Sequence, residues 1–244
     1  MSEEGPPKRP AAPREASRRS VPLMRRMMID SLMRAQAETL PVTVTAEAPV
    51  GALVAAHRRL RDAIPGLTFG TLIAKLLVGV LRDYPVLNAA IVDGQLVEYS
   101  DVQLACAVAL DDGELVVPVL HRAQEMGLRA FAAALRDLIT RARARKLVPA
   151  DVQGGTFALS NVGNVRGLAV PFTATPVIPP GQAGIMLTGL IRQAPLAVDG
   201  QVVVADVMPI SFSFDHRIVN GVPALTAFGE FIRRLNDPDD WFQE

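Results

Sequence analysis

One histidine stands where a proton could be moved. His216 closes the alternating run from Ser211 to Asp215 and is followed by Arg217, Ile218, Val219, Asn220 and Gly221. Period-two alternation predicts a half-buried strand, so the imidazole is delivered to a strand end beside charged groups. With an intrinsic pKa of about 6.5, such a ring is neutral near physiological pH and able to accept a proton. The same residues also read as an ordinary polar turn without chemistry. The other histidines offer less. His57 falls on an arginine-rich helix face and is expected to be solvated, and His121 follows a strand and is expected in a loop. Neither has a partner at metal-ligand spacing, so no metal is expected. Cys106 lies in an apolar strand and reads as a buried structural thiol. Asp111-Asp112-Gly113 reads as a turn that lacks the ligand count of a calcium loop.

The elements that must position His216 follow from periodicity. Helical patterns run over Val21–Glu38, Leu53–Ile64, Phe69–Arg82, Gly127–Lys146 and Val222–Leu235, the last capped by Asn220 or Gly221. Strand patterns run over Val42–Ala48, Val102–Leu110, Leu115–Leu120, Thr156–Ser160, Ile185–Leu190, Gln201–Ala205 and Pro209–Phe214, with a hairpin turn at Asp93-Gly94. The uncharged stretch from Gly167 to Ile191 is broken by several prolines, so it reads as two buried strands around a turn and not as a membrane span. The mixture predicts an α/β fold of α+β layers, a large sheet covered by helices.

Composition narrows the function. The chain has 244 residues, with 25 Lys+Arg against 25 Asp+Glu, and this neutrality removes the usual electrostatic basis for nucleic-acid binding. A single cysteine excludes a disulfide framework and fits a reducing compartment; with no apolar leader segment, the expected location is the cytoplasm. Residues 1–20 read as a flexible Pro/Ala/Arg-rich tail, and the length of the chain suits one large domain or two small ones. Lysine is scarce: only Lys8, Lys75 and Lys146 occur.

The segment from Asp215 to Gly221 resembles the H-R-x-x-[DN]-G signature of the acyltransferase (dihydrolipoamide acyltransferase) component of 2-oxo acid dehydrogenase complexes, which shares its catalytic fold with chloramphenicol acetyltransferase. Other blocks follow in family order: Val42–Glu47, Asp83–Asn88, Glu114–Leu120, Lys146–Asn161, and the Pro179-Pro180 turn with Gln182. Together they cover about residues 21–242.

The resemblance implies one acyltransferase catalytic domain over residues 21–244, a chloramphenicol acetyltransferase-like sandwich that moves an acyl group between dihydrolipoamide and coenzyme A. His216 matches the catalytic base and Ser160 the serine that donates to the oxyanion; in this family the two come from adjacent subunits of a trimer. Asn220 stands where Asp is commoner, which weakens an expected link to the arginine matching Arg26 and leaves the helix cap as its alternative role. The family's lipoyl group sits on a lysine at a hairpin tip. None of the three lysines has that context, and the twenty residues before the match are too few for either accessory domain, so no lipoyl domain and no peripheral-subunit-binding domain are expected, and the lipoyl group is expected in trans from a lipoyl-carrying protein or a dehydrogenase complex component. Trp241 and Phe242 fall where family members carry apolar residues that join trimers into cubic or dodecahedral cores; folding back onto their own subunit is the alternative. Two other functions remain open: a free-standing acyltransferase on a small acceptor, and a non-catalytic trimeric or cage-like scaffold.

Overall fold

A computed structural model describes residues 16–163 and 173–242. The chain begins with α1 (Leu23–Glu38), β1 (Pro41–Pro49), α2 (Gly51–Leu60) and α3 (Phe69–Asp83). A hairpin of β2 (Ala89–Val92) and β3 (Gln95–Glu98) follows, then β4 (Leu104–Ala109), β5 (Leu115–Val116), β6 (Val119–Leu120), α4 (Leu128–Arg143) and β7 (Phe157–Asn161). The last elements are β8 (Gly184–Thr188), β9 (Arg192–Val198), β10 (Gln201–Asp215) and α5 (Gly221–Asn236).

The strands form a mixed sheet in the order β1-β10-β8-β7-β4-β5, with β6 beside β4 and β9 beside β10. β7 runs parallel to both β4 and β8, and β10 runs antiparallel to β1, β8 and β9. Alternation assigns the two faces. Leu104, Cys106, Phe157, Leu159, Met186, Phe212 and Phe214 join residues of α2, α3, α4 and α5 in the main core. Ala105, Ala158 and Ile185 point the other way, into a smaller cluster with Val119 and Ile178. Burying each large side chain of the main core contributes about 1.5–3 kcal/mol. The expected layered α/β architecture is present.

Several boundaries differ from expectation, each for a local reason. The two strands expected at Gln201–Ala205 and Pro209–Phe214 are one continuous strand, β10. Pro209 is tolerated because its carbonyl, which accepts the Gly189 N–H at 2.9 Å, faces the gap between β9 and β8. The N–H that proline lacks would face the same gap, so the pairing of β10 with β8 starts one residue on, at Ile210 and Thr188. The strand β9 was not expected because Pro195 interrupts it; among the described residues it pairs with β10 alone, and an edge strand accepts proline. The single strand expected over Leu115–Leu120 is split at Val117-Pro118, where the Pro118 carbonyl takes the Cys106 N–H at 2.8 Å. Of the two strands expected between Gly167 and Ile191, the described residues contain one, β8; residues 164–172 lie outside the description.

The terminal segments answer two further expectations. Residues 16–20 are exposed and form no helix or strand, while residues 1–15 lie outside the described part. Trp241 and Phe242 fold back onto their own subunit. Phe242 is buried in the main core, and the Arg234 guanidinium lies 3.5 Å from the centre of the Trp241 ring. Arg234 is itself buried, paired at 2.6 Å with both Asp83 and Glu230. Among the described residues no helix is long and apolar enough to cross a membrane.

Candidate active site

His216 is positioned by a buried carboxylate on its N-terminal side. Asp215, the last residue of β10, is 1 % exposed. Its Oδ1 accepts the backbone N–H of Leu40 at 3.1 Å and that of Arg217 at 3.0 Å, and the Arg217 guanidinium closes on it from Nη2 at 2.7 Å. The His216 N–H donates to the Leu40 carbonyl at 2.8 Å. The backbone from Asp215 to Arg217 is therefore tied to one anion or to Leu40, just before β1, so the ring starts from a fixed backbone. Charge-assisted bonds of this kind are about twice as strong as neutral ones.

The ring is half-buried and continues an aromatic series out of the core. Phe157, Phe212 and Phe214 follow one another at centroid distances of 6.1 and 5.3 Å, and His216 lies 5.9 Å from Phe214. The supporting role of Asp215 had one sequence signal, a carboxylate ending an alternating strand with an arginine two residues later.

Asn220 lies on the same turn, four residues after His216. It occupies the N-cap of α5, as its capping alternative required, and its carbonyl accepts the Ala224 N–H at 3.2 Å. Its side chain makes no capping bond, however, and is exposed. Arg26 lies on the exposed helix α1, and among the described residues no hydrogen bond joins it to Asn220.

Ser160 lies elsewhere. It is half-buried near the end of β7, level with Ala107 on β4 and Leu187 on β8. Leu187 is in turn level with Ser211 on β10, five positions before His216. At ~3.4 Å per residue along the strand and ~4.8 Å between strands, this register separates Ser160 from His216 by about 20 Å within one chain. The two residues thus sit toward opposite ends of the sheet.

Ser160 borders a cavity of about 1010 Å³ on the face of the sheet away from the main core. Ala105, Ala107, Ala158 and Ile185 line its floor, Val117 and Val119 its side, and Met28, Leu32 and Arg34 of α1 reach it. His216 does not line this cavity. The space exists because β4 and β7 present alanines on this face where larger side chains would fill it.

The remaining candidates have structural surroundings. Burial pushes the Cys106 thiol up to about 12. His57 is half-buried, its ring edge-on to Phe69 at 6.1 Å, so it is less solvated than expected because α3 packs beside α2. His121 is an exposed loop residue whose ring nitrogens lie 2.9 Å from Gln103 Oε1 and 2.9 Å from the Ala150 carbonyl. Among the described residues there is no cluster of three or more His, Cys, Asp or Glu able to hold a metal ion. Lys75 is half-buried in α3, bonded to the Met126 carbonyl and placed over the Phe131 ring, and burial lowers its pKa.

Comparison with known proteins places this geometry in a family. The model of the 2-oxoacid dehydrogenases acyltransferase catalytic domain matches residues 13–243. The acetyltransferase component of the Staphylococcus aureus pyruvate dehydrogenase complex is 31% identical over 225 residues, covering 90% of this chain and 51% of that protein. The chain thus spans about half the length of the curated relatives it matches. Azotobacter vinelandii dihydrolipoamide acetyltransferase, studied for the role of a serine, a histidine and an asparagine in its mechanism, superposes with a TM-score of 0.82 at 25% identity, covering 96% of this chain and 100% of that one. The cubic core of a pyruvate dehydrogenase multienzyme complex gives 0.81 at 26% identity with the same coverage. Chloramphenicol acetyltransferase, at 16% identity and a TM-score of 0.54 over 88% of this chain and 94% of that one, shares the fold. The chain belongs to the family of 2-oxoacid dehydrogenase acyltransferase catalytic domains.

Proposed function

We propose that this chain transfers acyl groups between a dihydrolipoyl thiol and coenzyme A, with His216 as general base and Ser160 as oxyanion donor. The observation that carries the reading is the pose of His216, a half-buried imidazole on a backbone fixed by the buried Asp215. The histidine and asparagine named for the Azotobacter protein have the same four-residue separation as His216 and Asn220.

In the step itself, His216 takes the proton of the attacking thiol and the sulfur forms a bond to the thioester carbonyl carbon. The carbonyl oxygen becomes an oxyanion, to which the Ser160 hydroxyl donates. Collapse expels the other sulfur as a thiolate, and the imidazolium returns the proton to it. A thiol pKa of about 8.5 lies close enough to that of imidazole for the transfer to be efficient. Both reacting groups belong to substrates, so no acyl-enzyme is formed. Asn220, with its amide unused by the helix cap, orients the site by hydrogen bonding; being neutral, it can hold Arg26 only by a hydrogen bond.

The separation of about 20 Å means that one copy cannot close this site, since a donor must lie within about 3 Å of its partner. The catalytic unit is therefore a ring, taken as a homotrimer, in which His216 of one subunit meets Ser160 of the next. The likeness to a cubic core supports assembly with components of a dehydrogenase complex. The lipoyl arm comes from outside the described fold, because Lys75 is inside a helix and Lys146 lies three residues past the end of another. The catalytic domain begins at about residue 21, and the protein acts in the cytoplasm.

The test is acyl-CoA formation from coenzyme A and S-acetyl-dihydrolipoamide by the purified protein. His216→Ala should lower kcat by about 10²–10⁴ and Ser160→Ala by about 10²–10³. Normal turnover by His216→Ala would overturn the base assignment.

A further inference from the structure

We infer that Ala107 selects the acyl chain, and that its missing bulk opens a slot for branched or extended apolar acyl groups in preference to acetyl. The inference rests on the acyltransferase reading and on the register of the sheet. Ser160 of β7 is level with Ala107 of β4, and residues level in a ladder share a face. On the far side of β4, Ala105 pairs with Val119 and Val108 with Val116, which sets Val117 beside Ala107. Ser160 of β7, Ala107 of β4 and Val117, in the break between β5 and β6, therefore form a row, and all three line the cavity.

At ~4.8 Å per strand, the row makes a slot about 10 Å wide between Ser160 and Val117. Its floor is the single methyl group of Ala107, which is half-buried and open to the cavity. Ala158, next to Ser160 on the same face of β7, extends that floor, and Leu115 extends the apolar wall. A thioester carbonyl oxygen bonded to Ser160 lies ~2.8 Å from its hydroxyl. The acyl chain starts one bond beyond the carbonyl carbon and has Ala107 beneath it. An acetyl group ends there and leaves Val117 and Leu115 uncovered, whereas a chain of about four or five carbons reaches them and removes their surface from water. The floor and wall carry no charge. Arg34 and Asp101, the charged residues of the cavity, come from α1 and from the segment before β4.

The experiment is a kcat/KM series with acetyl-, isobutyryl-, isovaleryl- and succinyl-CoA, transferring onto free dihydrolipoamide, for the full chain and for Ala107→Val and Ala107→Leu. Melting curves establish that each variant folds, and Ala107→Val, β-branched and suited to a strand, serves if Ala107→Leu does not. The native chain should use isovaleryl- or isobutyryl-CoA at least as well as acetyl-CoA. Filling the slot should lower the isovaleryl-to-acetyl ratio by about 10-fold or more, the discrimination that one or two carbons bring in an apolar pocket. A native preference for acetyl, or a ratio unmoved in both variants, overturns the slot while the acyltransferase reading stands. A preference for succinyl-CoA also overturns it and assigns Arg34 to the acyl carboxylate. No transfer from any donor overturns both.

Discussion

Mixing two inactive variants should restore activity, and the amount is set by the geometry. Ser160, next to last in β7, is level through Leu187 with Ser211 of β10 two strands away, and His216 lies five positions beyond Ser211, just past the end of β10. Both strands are held in one hydrogen-bonded sheet, so the resulting distance of about 20 Å cannot be closed by side-chain motion. In the proposed reaction the attacking sulfur and the oxyanion oxygen are bonded to one carbon, so the two must reach His216 and Ser160 at once. A site must therefore take its histidine from one copy and its serine from another. His216→Ala keeps an intact serine side, and Ser160→Ala keeps an intact histidine side. In a closed ring each contact joins one histidine side to one serine side, so equal random mixing makes about one quarter of the contacts fully native. Each variant alone should show no more than about one hundredth of native turnover. After subunit exchange in mild urea and dilution, the mixture should regain about 25% of native kcat, with a maximum at equal proportions. Mass spectrometry of the mixed oligomers verifies the exchange. Verified exchange with no recovery would refute the shared site, as would full native activity in a species that light scattering shows to be monomeric.

Three further outcomes follow from the buried groups. Asp215→Asn removes the charge that holds Arg217 and loosens the backbone on both sides of His216; it should cost about 1.5–3 kcal/mol in urea unfolding and lower kcat more than it raises KM. Glu230 is held down at about 2 by its side-chain bond from Arg233 and by Arg234, so it contributes stability fully above about pH 4.5 that is lost as pH falls toward 2. The urea midpoint should accordingly drop between about pH 5 and pH 3, and Glu230→Gln should flatten that slope while costing about 3 kcal/mol at neutral pH, because buried Arg234 loses a partner. Cys106, with its thiol raised to about 12, should resist a disulfide reagent at about pH 8 in the native protein and react at once in urea. Rapid reaction of the native protein would contradict its burial.

Much of this arrangement was legible in the chain itself, because it depends on local rules. Alternation in Ser211–Asp215 set Phe212 and Phe214 toward the helices and brought His216 to a strand end, and the ordered blocks from Val42 to Asn220 pointed to the acyltransferase fold. The helix α3 was legible from the spacing of Leu72, Ile73, Leu76, Leu77 and Val80, all buried. Boundaries failed at prolines, where the outcome turns on which neighbour faces the ring. Pro209 sits in a gap between two partners and Pro195 on an open edge, and neither gap nor edge is visible before the sheet is assembled.

What the sequence by itself determined is the set of candidate residue types and the elements that carry them: a histidine after one strand and a serine near the end of another. Only the tertiary structure decided how these stand to one another. Strand order and register are long-range choices made by packing, and they separate His216 from Ser160, bury the Asp215 carboxylate behind the turn that carries His216, and align Ala107 with Ser160 at the edge of the cavity. Periodicity reports the face on which a residue lies, whereas register reports what lies beside it, and the chemistry of the site depends on the second.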